Sequence, residues 1–292
     1  MIARGSMLAA GRQRTKSLGR TFGRPKKDQQ VEASVAKTQN HKMVPETEAK
    51  QPQVLLPEVR DLAKALEKRF QAEADSDKAA GMKKYMRDQF DYYGLSMPQR
   101  TTAFLEVFAK RALDKSTLNR EFLEQFAEVC MQSKYREMHY SFISAMNSKA
   151  AENSRVEEIL PVLEKFNIFG QWWDITDSLA SIFGAIFLKD AKLHARKNQE
   201  YIQHDNLWMR RIALIHQLKY KDKTNQEMLW DNINRTKHEK EFFIRKAIGW
   251  ALREYSKTNP QAVRKFIEGP DGKGLSPLSV REGMKVIHKK KH

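Results

Sequence analysis

From Pro57 onward, apolar residues recur every three or four positions, the spacing of helices buried along one face. The recurrence predicts helices over 57–72, 78–92, 98–113, 117–131, 134–148, 155–167, 172–188, 191–203, 206–219, 224–236, 240–257 and 260–268, with a short one over 277–287. Between Arg60 and Asn259 the only prolines are Pro98 and Pro161, and between Leu95 and Glu268 the only glycines are Gly170, Gly184 and Gly249. Strands joined by tight turns need more of both. Many of the segments follow Ser, Thr, Asp or Asn, the residues whose side chains cap helix N-termini.

A succession of short helices with no strand candidate fits stacked helical pairs. A pair of about 40 residues is the unit of the HEAT and armadillo architectures. Similarity between successive pairs is weak, so this reading rests on helix length and spacing. A compact α-bundle of the globin kind is the alternative. A curved stack with a basic concave face suits a duplex.

Residues 1–52 differ from the rest. From Met1 to Lys27 there are eight Lys or Arg and no acid. Such a segment cannot bury enough apolar surface to offset its ordering entropy, and disorder is expected. It reads as a DNA-attracting arm, as an organellar transit peptide, or as an expression scar or misassigned start, with Met7 or Met43 nearer the true one. Residues 53–287 form the expected domain and 288–292 a basic tail.

Charge narrows the partner. The chain has 53 Lys+Arg against 36 Asp+Glu, a net charge of +17. Residues 1–50 account for +7, so the body is itself basic. A polyanion is the expected partner, either nucleic acid or an acidic membrane surface. No uncharged run in the body exceeds eleven residues (Ser178–Leu188), and a bilayer-spanning helix needs about 20. The lone cysteine, Cys130, excludes a disulfide framework within one chain and reads as a buried apolar residue. The histidines show no metal spacing, no nucleotide-cradling glycine motif occurs, and neither a metal nor an organic cofactor is expected. Nothing points to an oligomer, and a monomer is expected.

Helical projection at about 100° per residue isolates residues on unexpected faces. Ile175, Leu179, Ile182, Phe183 and Ile186 make one stripe, which Trp172 joins. Trp173 and Asp177 lie opposite it, one turn apart. They form either a functional pair or an inter-helix packing residue beside a solvated acid. In 240–257, Trp250 lies off the stripe with Lys246 and Arg253 beside it, either filling a gap or interleaving with cations as nucleic-acid surfaces do. In 206–219 the anomaly is reversed. Arg211 falls inside the apolar stripe and must find an anion, a carboxylate or a phosphate. Arg210 falls outside the stripe and is expected to be solvated.

The stretches QWWDITD (171–177), HDNLWMRRIALIHQLKYK (204–221) and EFFIRKAIGWALREYSKTNP (241–260) resemble the AlkD-like DNA alkylation repair glycosylases, as does MKKYMRDQF (82–90). The similarity spans about residues 57–285. It implies an all-α, right-handed-type solenoid of HEAT-like helical pairs with a curved, basic concave face. It implies excision of cationic N3- and N7-alkylated purines from duplex DNA, with the lesion engaged from the backbone side and the base unflipped. Asp177 matches the catalytic carboxylate, Trp173 and Trp250 its aromatic partners, and Arg211 a phosphate-contacting arginine. Tyr85 matches a tyrosine near the DNA surface. Lys246 and Arg253 are further phosphate candidates from their position. Members without glycosylase activity exist, so a non-catalytic module for damaged or unusual DNA is the alternative, and a protein-scaffolding solenoid is a third. The compartment is cytoplasm or nucleoid in a bacterium, and nucleus or organelle in a eukaryote.

Overall fold

A computed structural model describes residues 54–111, 118–147 and 156–289. The arm at 1–52 lies outside the described residues, as does the tail beyond Lys289. The described residues form thirteen α-helices: α1 (Pro57–Ala72), α2 (Ser76–Tyr85), α3 (Met97–Ala109), α4 (Arg120–Gln132), α5 (Arg136–Met146), α6 (Val156–Gly170), α7 (Trp173–Phe187), α8 (Ala191–Ile202), α9 (Leu207–Ile215), α10 (Gln226–Thr236), α11 (Phe242–Tyr255), α12 (Pro260–Glu268) and α13 (Pro277–Lys289). Among the described residues there is no strand, only an isolated bridge between Asp91 and Tyr135. No described helix is long and apolar enough to cross a membrane.

The expected N-caps are present. Asp75, Asn119, Asp190, Asn206, Asn225 and Asn259 each accept a backbone N–H from the first turn of the helix that follows. Three helices end a turn or more earlier than their periodicity predicts, among them α3, which ends at Ala109 rather than 113. α2 stops at Tyr85 rather than running to 92, because Arg87 and Asp88 take left-handed backbone (φ 59° and 60°). α9 gives way to 3-10 turns at His216, whose Nδ1 donates to the Ile212 and Ala213 carbonyls.

The helices make an α-solenoid of pairs. The odd-numbered ones form a row in which α3 packs on α5, α5 on α7, α7 on α9, α9 on α11 and α11 on α13. The even-numbered helices from α4 to α12 pack against this row, and α1 covers α3, α4 and α5. One apolar core runs the length of the body, from Val59 and Phe70 through Phe126, Phe166 and Phe183 to Ile248 and Ile287. Cys130 is buried in it, and burial pushes its thiol pKa well up. The row of odd helices supplies Arg100, Arg136, Trp173, Asp177, Arg211 and Trp250 of the site described below, and Tyr85 comes from the end of α2.

α5 is tied to the segment after α2 by a carboxylate. Glu137, almost wholly buried, accepts the backbone N–H groups of Tyr93 (3.1 Å), Gly94 (2.9 Å) and Leu95 (3.2 Å). Gly94 has φ 95°, and a Cβ there would lie 2.1 Å from the Asp75 carbonyl oxygen, so no other residue fits. In Glu137→Gln an amide NH2 faces these donors in place of one oxygen. The expected loss is about 2 kcal/mol, the scale of a hydrogen bond to a buried charge, or roughly 5 °C in Tm. An unchanged thermal melt would show that the loop does not depend on this anion.

Candidate nucleic-acid interface

The two acids of the WWDITD segment stand in the first turns of α7 and meet different arginines. Asp174 is buried and receives two charge-assisted bonds from Arg136 of α5, Nε to Oδ2 at 2.8 Å and Nη2 to Oδ1 at 2.7 Å. Tyr140 donates its hydroxyl to Oδ2 at 2.6 Å. Arg136 is completely buried; its Nη2 also donates to the Gly170 carbonyl, its Nη1 to His139 Nδ1, and its plane stacks on Phe90 at 3.7 Å.

Asp177 pairs with Arg211 of α9, Nε to Oδ1 at 2.7 Å and Nη2 to Oδ2 at 2.9 Å. Arg211 Nη1 donates to the Phe243 carbonyl at 2.5 Å. Of the two anions open to Arg211, the structure places it on the carboxylate: its guanidinium is buried and all three nitrogens donate within the protein. Arg210 is not solvated as its position suggested. It forms a fork with Glu239 (3.0 and 2.9 Å) and donates to the His204 and Asp205 carbonyls.

The surroundings push the two acids apart. For Asp174, burial works against ionisation, but Arg136 and the hydroxyl of Tyr140 outweigh it and hold the pKa below the usual range. For Asp177, burial raises the pKa and the Asp174 charge adds to it, while Arg211 offsets only part. Of two carboxyls driven in opposite directions, the one that is raised and keeps an accessible edge, Asp177, is the chemical candidate. Asp177 keeps 18% of its side chain accessible, against 8% for Asp174.

That accessible edge opens into a cleft of about 660 Å³. α3 lines it with Met97, Arg100 and Leu105, α5 with Tyr140, α7 with Ser178 and Ser181, and α11 with Trp250. Asp177 and Trp250 thus share one cleft. Trp173 stands one turn before Asp177, half-buried, with the exposed ring of Tyr85 edge-on to it at 6.0 Å. Lys246 and Arg253 gather elsewhere along α11. Both pair with the buried Glu282 of α13, at 3.3 and 2.6 Å, and Lys285 joins them at 2.6 Å. Burial works against that carboxylate, but the three cations hold its pKa low. Gly249 makes this possible, since a Cβ there would lie 2.6 Å from that of Glu282. Among the described residues no cluster of three or more metal-ligating side chains occurs.

Sequence reasoning missed Arg100, Arg136, Tyr140 and Asp174. Asp174 lay beside Asp177 in the same motif, but its partner is 38 residues away and no local pattern names it.

The model of a family described as DNA alkylation repair enzymes matches residues 66–287. The chain belongs to this family. A solved structure of a predicted DNA alkylation repair enzyme from Enterococcus faecalis is similar to it, at 33% identity and a TM-score of 0.65 over 74% of this chain and 97% of that one. No curated protein matches.

The Asp177–Arg211 pair gives a test with a definite sign. In Arg211→Gln both remaining influences on Asp177, burial and Asp174, raise its pKa. The unpaired carboxylate then destabilises the fold at pH 7, by about 3–5 kcal/mol for a buried pair broken on one side. A raised folded pKa means that ionisation is the costly state. Stability relative to wild type should therefore recover as pH falls through the folded pKa toward the unfolded value near 4. Thermal melts between pH 7 and 4 should show the gap closing, and a gap that widens on acidification would contradict the assignment.

Proposed function

We propose that this family member is an alkylpurine DNA N-glycosylase that removes cationic N3- and N7-alkylated purines from duplex DNA, with Asp177 as the catalytic carboxylate. One observation carries the reading: Asp177 is held in a fixed orientation by Arg211 while its free edge faces a cleft shared with Trp250.

Cleaving an N-glycosidic bond leaves positive charge on the deoxyribose, as in glycoside hydrolysis. A carboxylate fixed beside C1′ stabilises that oxocarbenium-like state and orients the attacking water. Preorganised contacts of this kind are worth about 3–4 kcal/mol. Glycosidases need a second carboxyl group to protonate the leaving group. An alkylated purine is already a cation and leaves as a neutral base, so one carboxylate suffices. The paired state of Asp174 fits that requirement, because Asp174 has no proton to give and no open edge. The indole faces of Trp173 and Trp250 attract developing positive charge by about 0.5–2 kcal/mol. Lys246 and Arg253 add phosphate affinity, since three cations on one carboxylate leave a local excess of positive charge.

The occupied face of Tyr140 favours engagement from the backbone side over base flipping. A flipped base is usually stacked between aromatic faces. A phenol and an indole, Tyr140 and Trp250, line the cleft beside the imidazole of His216, and the Arg100 guanidinium covers a face of Tyr140 at 3.8 Å. A purine stacking on Tyr140 would find that face taken by the guanidinium, whereas a backbone phosphate would meet Arg100 as its counter-charge.

The test uses duplex DNA containing N7-methylguanine, incubated with wild type and with Asp177→Asn, with free base and abasic sites counted against the spontaneous rate. Wild type should release base, and Asp177→Asn should be slower by on the order of 100-fold at least while retaining a cooperative melt. No release by either protein with DNA still bound would move the assignment to a non-catalytic DNA-binding module.

A further inference from the structure

We infer that Arg100 is the receptor for a backbone phosphate of the lesion-bearing strand inside the Asp177 cleft, a role separate from that of Arg211. The inference rests on the DNA reading above and deepens it by naming the anion and the residue that holds it.

The first observation is an imbalance. Arg211, Arg136, Arg210 and Arg253 each have a carboxylate within 3 Å. Arg100 is half-buried in the wall of the cleft and has no acid partner among the described residues. Burial lowers its pKa, and the more distant charges of Glu137 and Asp174 do not make up the difference. Arginine remains charged under all ordinary conditions. A partly desolvated guanidinium without a counter-ion is costly, and an anion entering the cleft repays that cost.

The second observation is that Arg100 is held in place. Its guanidinium lies 3.8 Å over the ring of Tyr140. The hydroxyl of that tyrosine is fixed on Asp174, and Asp174 is fixed by Arg136. A buried ion pair thus sets the plane of the phenol, and the phenol sets the plane of the guanidinium. A planar fork oriented in advance is what bidentate binding of a phosphate uses. α3 carries no acid in its first turn, so the acids of the cleft, Asp177 and Glu254, come from other helices.

The third observation is the company it keeps. Asp177 and Trp250 line the same cleft. A phosphate on Arg100 would bring its own deoxyribose, with C1′, into the space that the carboxylate edge and the indole face share. The residue would therefore position the sugar as well as add affinity.

The test is a phosphate scan. Duplexes containing a single N7-methylguanine are made with one phosphate at a time, near the lesion, replaced by neutral methylphosphonate. Affinity is measured for the full-length wild type and for Arg100→Gln, whose fold is checked by thermal melting. Wild type should lose about tenfold at one position. Arg100→Gln should bind the unmodified duplex about tenfold more weakly, show no further loss at that position, and have a salt slope smaller by about one. Equal sensitivity of both proteins at every position would overturn the assignment. Should Arg100→Gln not fold, Arg100→Lys decides the matter: it keeps the charge but not the fork, so the penalty at that one position should shrink, and an unchanged profile would overturn the assignment. Base release by wild type from the unmodified duplex is followed in parallel. A sensitive phosphate without release would remove the glycosylase reading and leave the Arg100 contact standing, whereas release without a sensitive phosphate would do the reverse.

Discussion

The site depends on one buried ion pair, Arg136 with Asp174. Arg136 has no accessible surface, and every nitrogen of its guanidinium is committed: two to the carboxylate, one also to the Gly170 carbonyl and one to His139. Burial, and then the nearby Arg136 charge, push the His139 pKa down to about 4. The ring is thus neutral at physiological pH, and Nδ1 can accept from Arg136 while Nε2 donates to the Ser133 carbonyl. These bonds join α5, the C-terminus of α6 and the N-terminus of α7. A buried pair seldom adds net stability over an apolar replacement. What it does supply is a unique register for the first turns of α7, where Trp173 and Asp177 must be aimed.

The register then gives two carboxyls of one motif opposite surroundings. Asp174 and Asp177 are three residues apart on one helix. Asp174 is turned toward α5 and saturated; Asp177 is turned toward α9 and keeps one edge open. The first acid raises the pKa of the second, so the structural pair also tunes the carboxyl proposed for the chemistry. Arg211 opposes this and holds the Asp177 carboxylate in one orientation. Pre-aligned charge needs no reorganisation when positive charge develops next to it, and this is the main source of electrostatic catalysis.

How much of this was legible in the sequence depends on how one-sided each helix is. α7 and α11 keep a partly exposed face, so Trp173, Asp177 and Trp250 stand out against the stripe, while Arg211 stands out only because its neighbours in the projection of α9 are apolar, that helix being buried nearly all round. α5 is buried around most of its circumference, with Arg136, Glu137, His139 and Ser141 as inaccessible as Phe142. A helix with no solvent face has no wrong face, and its polar residues give no signal until their partners are known. Arg100 escaped for the opposite reason. It shares α3 with exposed Met97 and Leu105, where a cation reads as solvated. Its meaning lies in a missing partner, which only three-dimensional placement can establish. The end of α2 was hidden because the chain turns on two left-handed residues, neither of them glycine.

The distribution of charge gives the final step. A net charge of +17 promises a polyanion but not a binding site, because most cations near the site are already used within the fold. Arg136 and Arg211 are spent on acids of α7, and Arg210 on Glu239. Lys246, Arg253 and Lys285 share one buried carboxylate, so they keep surplus charge while being fixed in place. Paired cations of this kind attract a duplex from a distance but discriminate poorly between positions along it. An unpaired cation in a cleft behaves differently, since its attraction is short-ranged, strong and tied to one geometry. Long-range attraction by the clustered lysines and arginines would bring the backbone in, and Arg100, which lines the cleft without an acid partner among the described residues, would decide which phosphate comes to rest beside Asp177.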